Sequence, residues 1–496
     1  MAIKKHSVTI SYLSKLKTCL HNRLCDSMEI TRHYLCLSIF FLHSLMLCLT
    51  INAHTNITTD KHALLSLKSK ISFDPHSILA DNWSVNSITP CNWIGVTCNS
   101  RHNRVSALDL FNMGLVGELT PDLGNLSFLV LLNLSQNNFH NSFPRELSQL
   151  RRLKILQCSI NNFSGNIPSW FGLLPNLRFL HLGNNNIRGF FPTSLFNLSK
   201  LEVLHLGVNS LEGSVPREIG NLPQLTWLDF SLNHLIGSFP LGILNLSKLE
   251  TISLSTNNLF GKLPLDLGNH LPKLQTFNMR YNKFSGQIPL SLSECSLLQT
   301  MALSYNNFSG HIPEEFGNLT KLEELSLGRN PLRGPMPKEL GNLSMLQTLY
   351  IGHCNFGGVI PKELGKLHML EELTLEIANL SGSIPKEIFN ISSLKTISFS
   401  FNNLVGTLPS SMGHALLNLY ELYLENNTLS GVIPDSISNC SKLIRIDLGS
   451  NHFSGTIPTS LGNLRLLNEL SLDENMLTND IASQELSIIS SLIITL

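Results

Sequence analysis

One frame governs this chain. From Val105 to Leu477 the pattern L-x-x-L-x-L-x-x-N-x-L-x-G-x-ϕ-P (ϕ apolar) recurs sixteen times. Its first position falls at Val105, Leu129, Leu153, Leu177, Leu201, Leu225, Leu249, Leu274, Leu298, Leu322, Leu346, Leu370, Leu394, Leu419, Leu443 and Leu467. The step is 24 residues except between Leu249 and Leu274 and between Leu394 and Leu419, where it is 25. A fixed period of this length marks a solenoid of stacked coils. In the copy at Leu201, the leucines at 204 and 206 alternate with His205 and Gly207, which predicts a short strand with one buried face. Leu201, Leu211 and Val215 complete the inward layer. Each buried leucine contributes roughly 1.5–3 kcal/mol, but only when a neighbouring coil covers it. No coil buries its own face, so stability comes from stacking.

Asn209 stands where the strand ends. A carboxamide both donates and accepts, so stacked asparagines can satisfy the backbone groups left open at the bend. Gly213 and Pro216 then shape the return path, one by conformational freedom and one by a fixed φ. Met113, Cys354 and Ala378 replace the ladder asparagine. The expectation is local loosening tolerated by neighbouring coils; the alternative is a flexible or ligand-contacting zone near Cys354 and Ala378.

The ends of the chain read differently. Residues 1–27 look like an upstream extension. The apolar run 34–51, preceded by Arg32, reads as the core of a signal peptide spanning 28–53 and cleaved after Ala53. The alternative is retention of 34–51 as a signal anchor. Residues 54–104 are expected to cap the array: Thr59 and Asp60 suit a helix start, and Ala63, Leu64, Leu67 and Ile71 follow at helical spacing. Cys91 and Cys98, six residues apart in a secreted context, read as a disulfide. Cys158 takes an inward leucine position, and Cys295 and Cys440 occupy matching turns, so all three are expected as buried thiols. Residues 478–496 leave the frame and are expected as an irregular tail whose last coil exposes an apolar edge.

Charge is balanced at 35 basic and 35 acidic residues, which gives no reason to expect a nucleic-acid partner. Fourteen N-x-S/T sequons occur, at Asn56, Asn82, Asn125, Asn133, Asn162, Asn197, Asn245, Asn307, Asn318, Asn342, Asn379, Asn390, Asn426 and Asn439. In a secreted chain these are glycan acceptors. Asn133 and Asn426 map to the outward strand face, where sugars would cover part of it.

The phrase Trp83…Pro90-Cys91-Asn92-Trp93-Ile94-Gly95-Val96-Thr97-Cys98, followed by repeats carrying L-x-G-x-ϕ-P and G-N-L, resembles the ectodomain of plant leucine-rich-repeat receptor kinases. The phrases at 105–110 and 117–121 are similar to the subfamily that includes the flagellin and bacterial elongation-factor receptors. The resemblance covers 54 to about 490. It implies an α/β leucine-rich-repeat solenoid: a right-handed superhelix with parallel short strands on the concave side and 3-10 or loop segments on the convex side. It also implies perception of a peptide or protein ligand at the cell surface, with a smaller leucine-rich-repeat protein as co-receptor. No kinase motif and no second apolar run occurs before Leu496, so the expectation is a receptor truncated ahead of its membrane span and kinase. The alternatives are a secreted inhibitor of a pathogen's cell-wall-degrading enzyme and a decoy scaffold.

Side chains alternating with the buried leucines are the candidate binding surface. They include Phe179, His181, His205, Trp227 and Asp229, then Arg280, Tyr281, Tyr305, Arg329, Tyr350 and His353. Glu372, Glu376, Glu421, Tyr423, Glu425, Asp447, Asp473 and Glu474 follow. Exposed aromatics and arginines are typical interface anchors. The surface grades from aromatic and basic to acidic. No nucleophile–base pair stands out, so no enzyme is expected, and no cofactor is implied. His181 and His205 have no third ligand beside them, so no metal is expected.

Overall fold

The structure, a computed structural model, describes residues 56–478 and the strand Ile493–Thr495. The expected leader and nearly all of the expected tail lie outside the described residues. One short strand per coil, five residues in the first and three in those that follow, pairs in parallel from Val105–Asp109 through to Glu469–Ser471. The pairing holds the frame: Leu204 lies opposite Leu228, and Leu228 opposite Ile252. The inward leucines of the Leu201 copy, Leu204, Leu206 and Leu211, are fully buried. At the amino end the ladder is closed by Val96–Cys98, antiparallel to Val105–Asp109.

The asparagines form the expected ladder. Asn233 Nδ2 donates to the carbonyls of Leu206, Phe230 and Ser231 at 3.1, 3.1 and 3.0 Å, and its Oδ1 accepts from the Leu211 N–H at 2.9 Å. One side chain thus ties together two coils at the strand's end. The residue just before each ladder position is left-handed, whatever its type: Ile160 has φ 56°, Val208 57° and Ile377 48°. A β-branched residue is strained there, whereas asparagine is tolerated. Ile160 is 46% exposed, so little burial opposes the change. Ile160→Asn is therefore expected to stabilise the array by about 1 kcal/mol, read as a higher Tm; a lower Tm would refute the strain.

A second ladder, from the L-x-G segment, runs alongside the first. It starts at Ile71–Phe73, antiparallel to Val116–Glu118, and continues in parallel to Asn307–Phe308. From Gly310 to Ser381 only three single bridges remain, and the ladder resumes from Ser381–Ser383 to Met476–Thr478. Pro331 and Pro335 remove two backbone donors from this stretch. Gly357 and Gly358 follow, both left-handed at φ 68° and 76°. The gap coincides with the missing asparagines at Cys354 and Ala378. The Cys354 sulfur lies 3.9 and 3.5 Å from the carbonyls of Leu327 and Gly352, standing in weakly for a carboxamide. At Ala378 the backbone compensates, the Phe356 N–H bonding the Ala378 carbonyl at 3.2 Å.

Most return segments carry a five-residue 3-10 turn after the proline, as at Arg217–Asn221 behind Pro216, while the coil of Pro385 keeps only Ile388–Asn390. The two 25-residue steps depart from this. There the extra residue is absorbed by a single α-helical turn, Leu267–His270 in one coil and Met412–Ala415 in the other. The strands on either side keep their register.

In the cap, helix α1 (Ile57–Lys70) starts earlier than Thr59 and Asp60 suggest. Asn56 is its start: its Oδ1 accepts the Thr59 N–H at 3.0 Å while Thr59 Oγ1 accepts the Asn56 N–H at 3.4 Å. That reciprocal pair resembles a capping box. Ala63, Leu64 and Leu67 are buried, but Ile71 leaves the helix for a strand. Cys91 and Cys98 form the expected disulfide, and Trp83, fully buried, stacks on Trp93 with ring centroids 5.4 Å apart. Cys158, Cys295, Cys354 and Cys440 are buried free thiols. Burial raises each one, Cys354 and Cys440 to about 11. The tail was expected to be irregular, yet Ile493–Thr495 pairs in parallel with Glu469–Ser471. Ile494 lies 24 residues after Leu470, so the period outlasts the leucines that advertised it.

Candidate binding face

Reading the register across coils sorts the outward side chains into rows. The first outward strand position runs Leu131, Ile155, Phe179, Val203, Trp227, then Thr251 and Thr276. The second runs Asn133, Gln157, His181, His205, Asp229, Ser253 and Asn278. A third row is the left-handed position, where Tyr281, Tyr305, Arg329 and His353 follow one another. An apolar row thus lies beside a hydrogen-bonding one. Leu131, Ile155 and Val203 are members of it that the choice of conspicuous aromatics passed over. Reading one frame position down the repeats would have found them.

Trp227 is 46% exposed, with Val203 and Thr251 in register on either side. Beside it, His205 Nε2 lies 3.0 Å from Asp229 Oδ2. Burial alone would raise the Asp229 carboxyl, but hydrogen bonds from His205 and Ser231 outweigh it and hold the group below the usual range. His181 sits on the other side of His205, with ring centroids 5.9 Å apart. Burial, then the neighbouring His205, lowers its pKa, and its Nε2 is buried without a partner. Phe179 lies under the guanidinium of Arg178, which grips Glu202 through two hydrogen bonds of 2.6 and 2.8 Å.

The second cluster begins two coils on from Trp227. Tyr281 is 49% exposed and stacks on Tyr305, with centroids 4.0 Å apart and planes 19° from parallel. Arg329 lies over the Tyr305 ring at 5.1 Å, a cation–π contact. Its Nη2 is 2.8 Å from His353 Nε2, which is also 3.0 Å from Glu376 Oε1. Burial pushes the Tyr350 hydroxyl up to about 12, with Tyr305 and Arg329 as its interacting neighbours. A cavity of about 380 Å³ opens between Arg329, His353, Cys354 and Ile377. The structure therefore brings Tyr281, Tyr305, Arg329, Tyr350 and His353 together. Arg280 does not join them: it is tied to Glu324.

One sequon departs from expectation. Asn133 faces outward along its strand, but it is 9% exposed and its Nδ2 donates to Asp109 Oδ1 at 2.9 Å. That nitrogen is the atom a sugar would need. Asn82 and Asn125 are half-buried; the other eleven, Asn426 included, are exposed. Among the described residues no group of three or more His, Cys, Asp or Glu side chains is placed to share a metal ion, and no helix is long and apolar enough to cross a membrane.

Family profiles match this architecture. The leucine rich repeat N-terminal domain covers residues 57–99, and leucine rich repeats cover 175–235, 273–295, 296–356, 393–415 and 418–477. Among solved structures, the plant peptide hormone receptor RGFR1 in complex with RGF2 is 33% identical, with a TM-score of 0.72 over 82% of this chain and 71% of that one. The chain belongs to the plant leucine-rich-repeat receptor-kinase family. The Arabidopsis receptor kinase HAESA, solved with the peptide hormone IDA and the co-receptor SERK1, is 28% identical with a TM-score of 0.64, covering 87% of this chain and 88% of that one. In sequence, the Arabidopsis thaliana receptor-like kinase EFR is 41% identical over 110 residues, 22% of this chain and 11% of its own length. The match thus spans about a tenth of that receptor. The leucine-rich-repeat array is the non-catalytic, extracellular part of such receptor kinases.

Proposed function

We propose that the strand face from Phe179 to His353 binds a secreted peptide, and that the chain acts by recognition rather than catalysis. The observation that carries this is Trp227: a tryptophan 46% open to solvent on a three-residue strand leaves a large apolar surface uncovered on the strand face. Two to four coils away the stacked tyrosines and Arg329 offer a second anchor of the type that dominates interfaces. The solved relatives RGFR1 and HAESA hold peptides, which supports the same reading here. It places the repeats on the secretory route, with the exposed sequons as glycan acceptors and Asn133 left bare. By likeness to the HAESA complex, a smaller leucine-rich-repeat co-receptor would complete the signalling unit.

The test uses the chain secreted from plant cells. Peptides selected by it from a random display library should bind Trp227→Ala/Tyr281→Ala at least tenfold more weakly, with the Tm unchanged. Binders indifferent to the double substitution, or no binders at all, would refute the site.

A further inference from the structure

The strand face is chemically two-part, and the parts lie far apart along the ladder. At the amino end the first outward row is apolar for five coils in succession, Leu131 to Trp227. In those coils the only outward acid is Asp229, and it is satisfied by His205. At the other end, the coils starting at Leu419, Leu443 and Leu467 present Glu421, Glu425, Asp447, Glu469, Asp473 and Glu474 against the single cation Arg445. Arg445 is taken by Glu421 at 3.0 Å and Glu469 at 3.4 Å. Glu425, Asp447, Asp473 and Glu474 have no basic partner among the described residues. Burial first, and then repulsion from Asp447, Asp473 and Glu474, raises the Glu425 carboxyl.

We infer that the ligand is an extended peptide running along the ladder, with an apolar segment on the Leu131–Trp227 row and a lysine- or arginine-rich segment on the Glu425–Glu474 end. This rests on the peptide-binding reading above and adds the ligand's chemistry and placement. Spacing favours an extended chain. Same-side side chains of an extended peptide recur every ~6.6–6.8 Å, and coils every ~4.8 Å, so two of the former match three of the latter. From the coil of Leu131 to that of Glu469 there are fourteen steps, ~67 Å, which an extended chain spans in about 20 residues. Four carboxylates crowded together are a standing electrostatic cost in the free protein that a cationic segment relieves, so complementarity sets which end goes where.

The experiment selects 20-residue peptides from a random display library on the secreted chain, and then measures them on two variants. The expected set is apolar in one half and rich in lysine or arginine in the other. Trp227→Glu should weaken binding about tenfold while leaving the salt dependence as it was. Asp447→Asn with Glu474→Gln should weaken it about tenfold at low salt and flatten that dependence. Binders that need Trp227 but carry no such polarity overturn this inference and leave the peptide-binding face intact. An absence of binders overturns both. A concentration-dependent dimer of the free chain that Trp227→Glu abolishes would give the face to a second copy and also overturn it.

Discussion

Asn233→Ala is expected to destabilise the array by about 3 kcal/mol. The loss does not fall where a count of bonds would put it. The carbonyls of Leu206 and Phe230 each keep a second ladder donor, from Asn209 at 3.1 Å and Asn257 at 3.0 Å, and the Ser231 carbonyl keeps the Val208 N–H at 2.8 Å. The Leu211 N–H is different. Its acceptor is Asn233 Oδ1, and it sits at a fully buried residue. An orphaned buried donor costs its whole desolvation penalty. The measurement is protection from hydrogen exchange at the Leu211 amide together with the Tm: both should fall, protection most sharply near Leu211. A parental Tm would refute the ladder's role.

Gly413→Ala should be more damaging, at about 3 kcal/mol or above. A Cβ at 413 would lie 1.6 Å from the Ser436 carbonyl oxygen of the next coil and 2.4 Å from its carbon. Those are backbone atoms, so relief requires the coils to separate. Gly268, in the other 25-residue step, meets Ser291 in the same way at 1.8 Å. Gly207→Ala is the control. There the methyl group meets side-chain atoms of Ser231 and Asp229 at 2.9 Å and beyond, which can rotate aside. Secretion yield and Tm should drop for Gly413→Ala and hold nearly level for Gly207→Ala; equal behaviour would show that close coil packing is not what selects glycine at 413.

Much of the face was legible before any coordinates. Trp227, Tyr281, Tyr305, Arg329 and His353 were reachable because the frame marks which residues point outward. Their grouping was not. That Arg329 covers Tyr305 while Arg280 turns to Glu324 depends on which neighbour each guanidinium can reach, and the frame does not encode reach. Asn133 shows the same limit: an outward position became a shielded one because Asp109, one coil back, takes its amide.

The coil, the inward leucines, the asparagine rungs and the Cys91–Cys98 bond could be read from the residues alone, since each follows from contacts at a fixed separation in the chain. Packing between coils set the rest. It held Ile160 and Val208 left-handed against their preference, because the rungs on both sides dictate the turn. It opened the second ladder between Gly310 and Ser381, where Pro331 and Pro335 lack the N–H that pairing needs. It continued the first ladder into Ile493–Thr495 without a leucine frame, since a strand edge pairs through its backbone and asks little of the side chains.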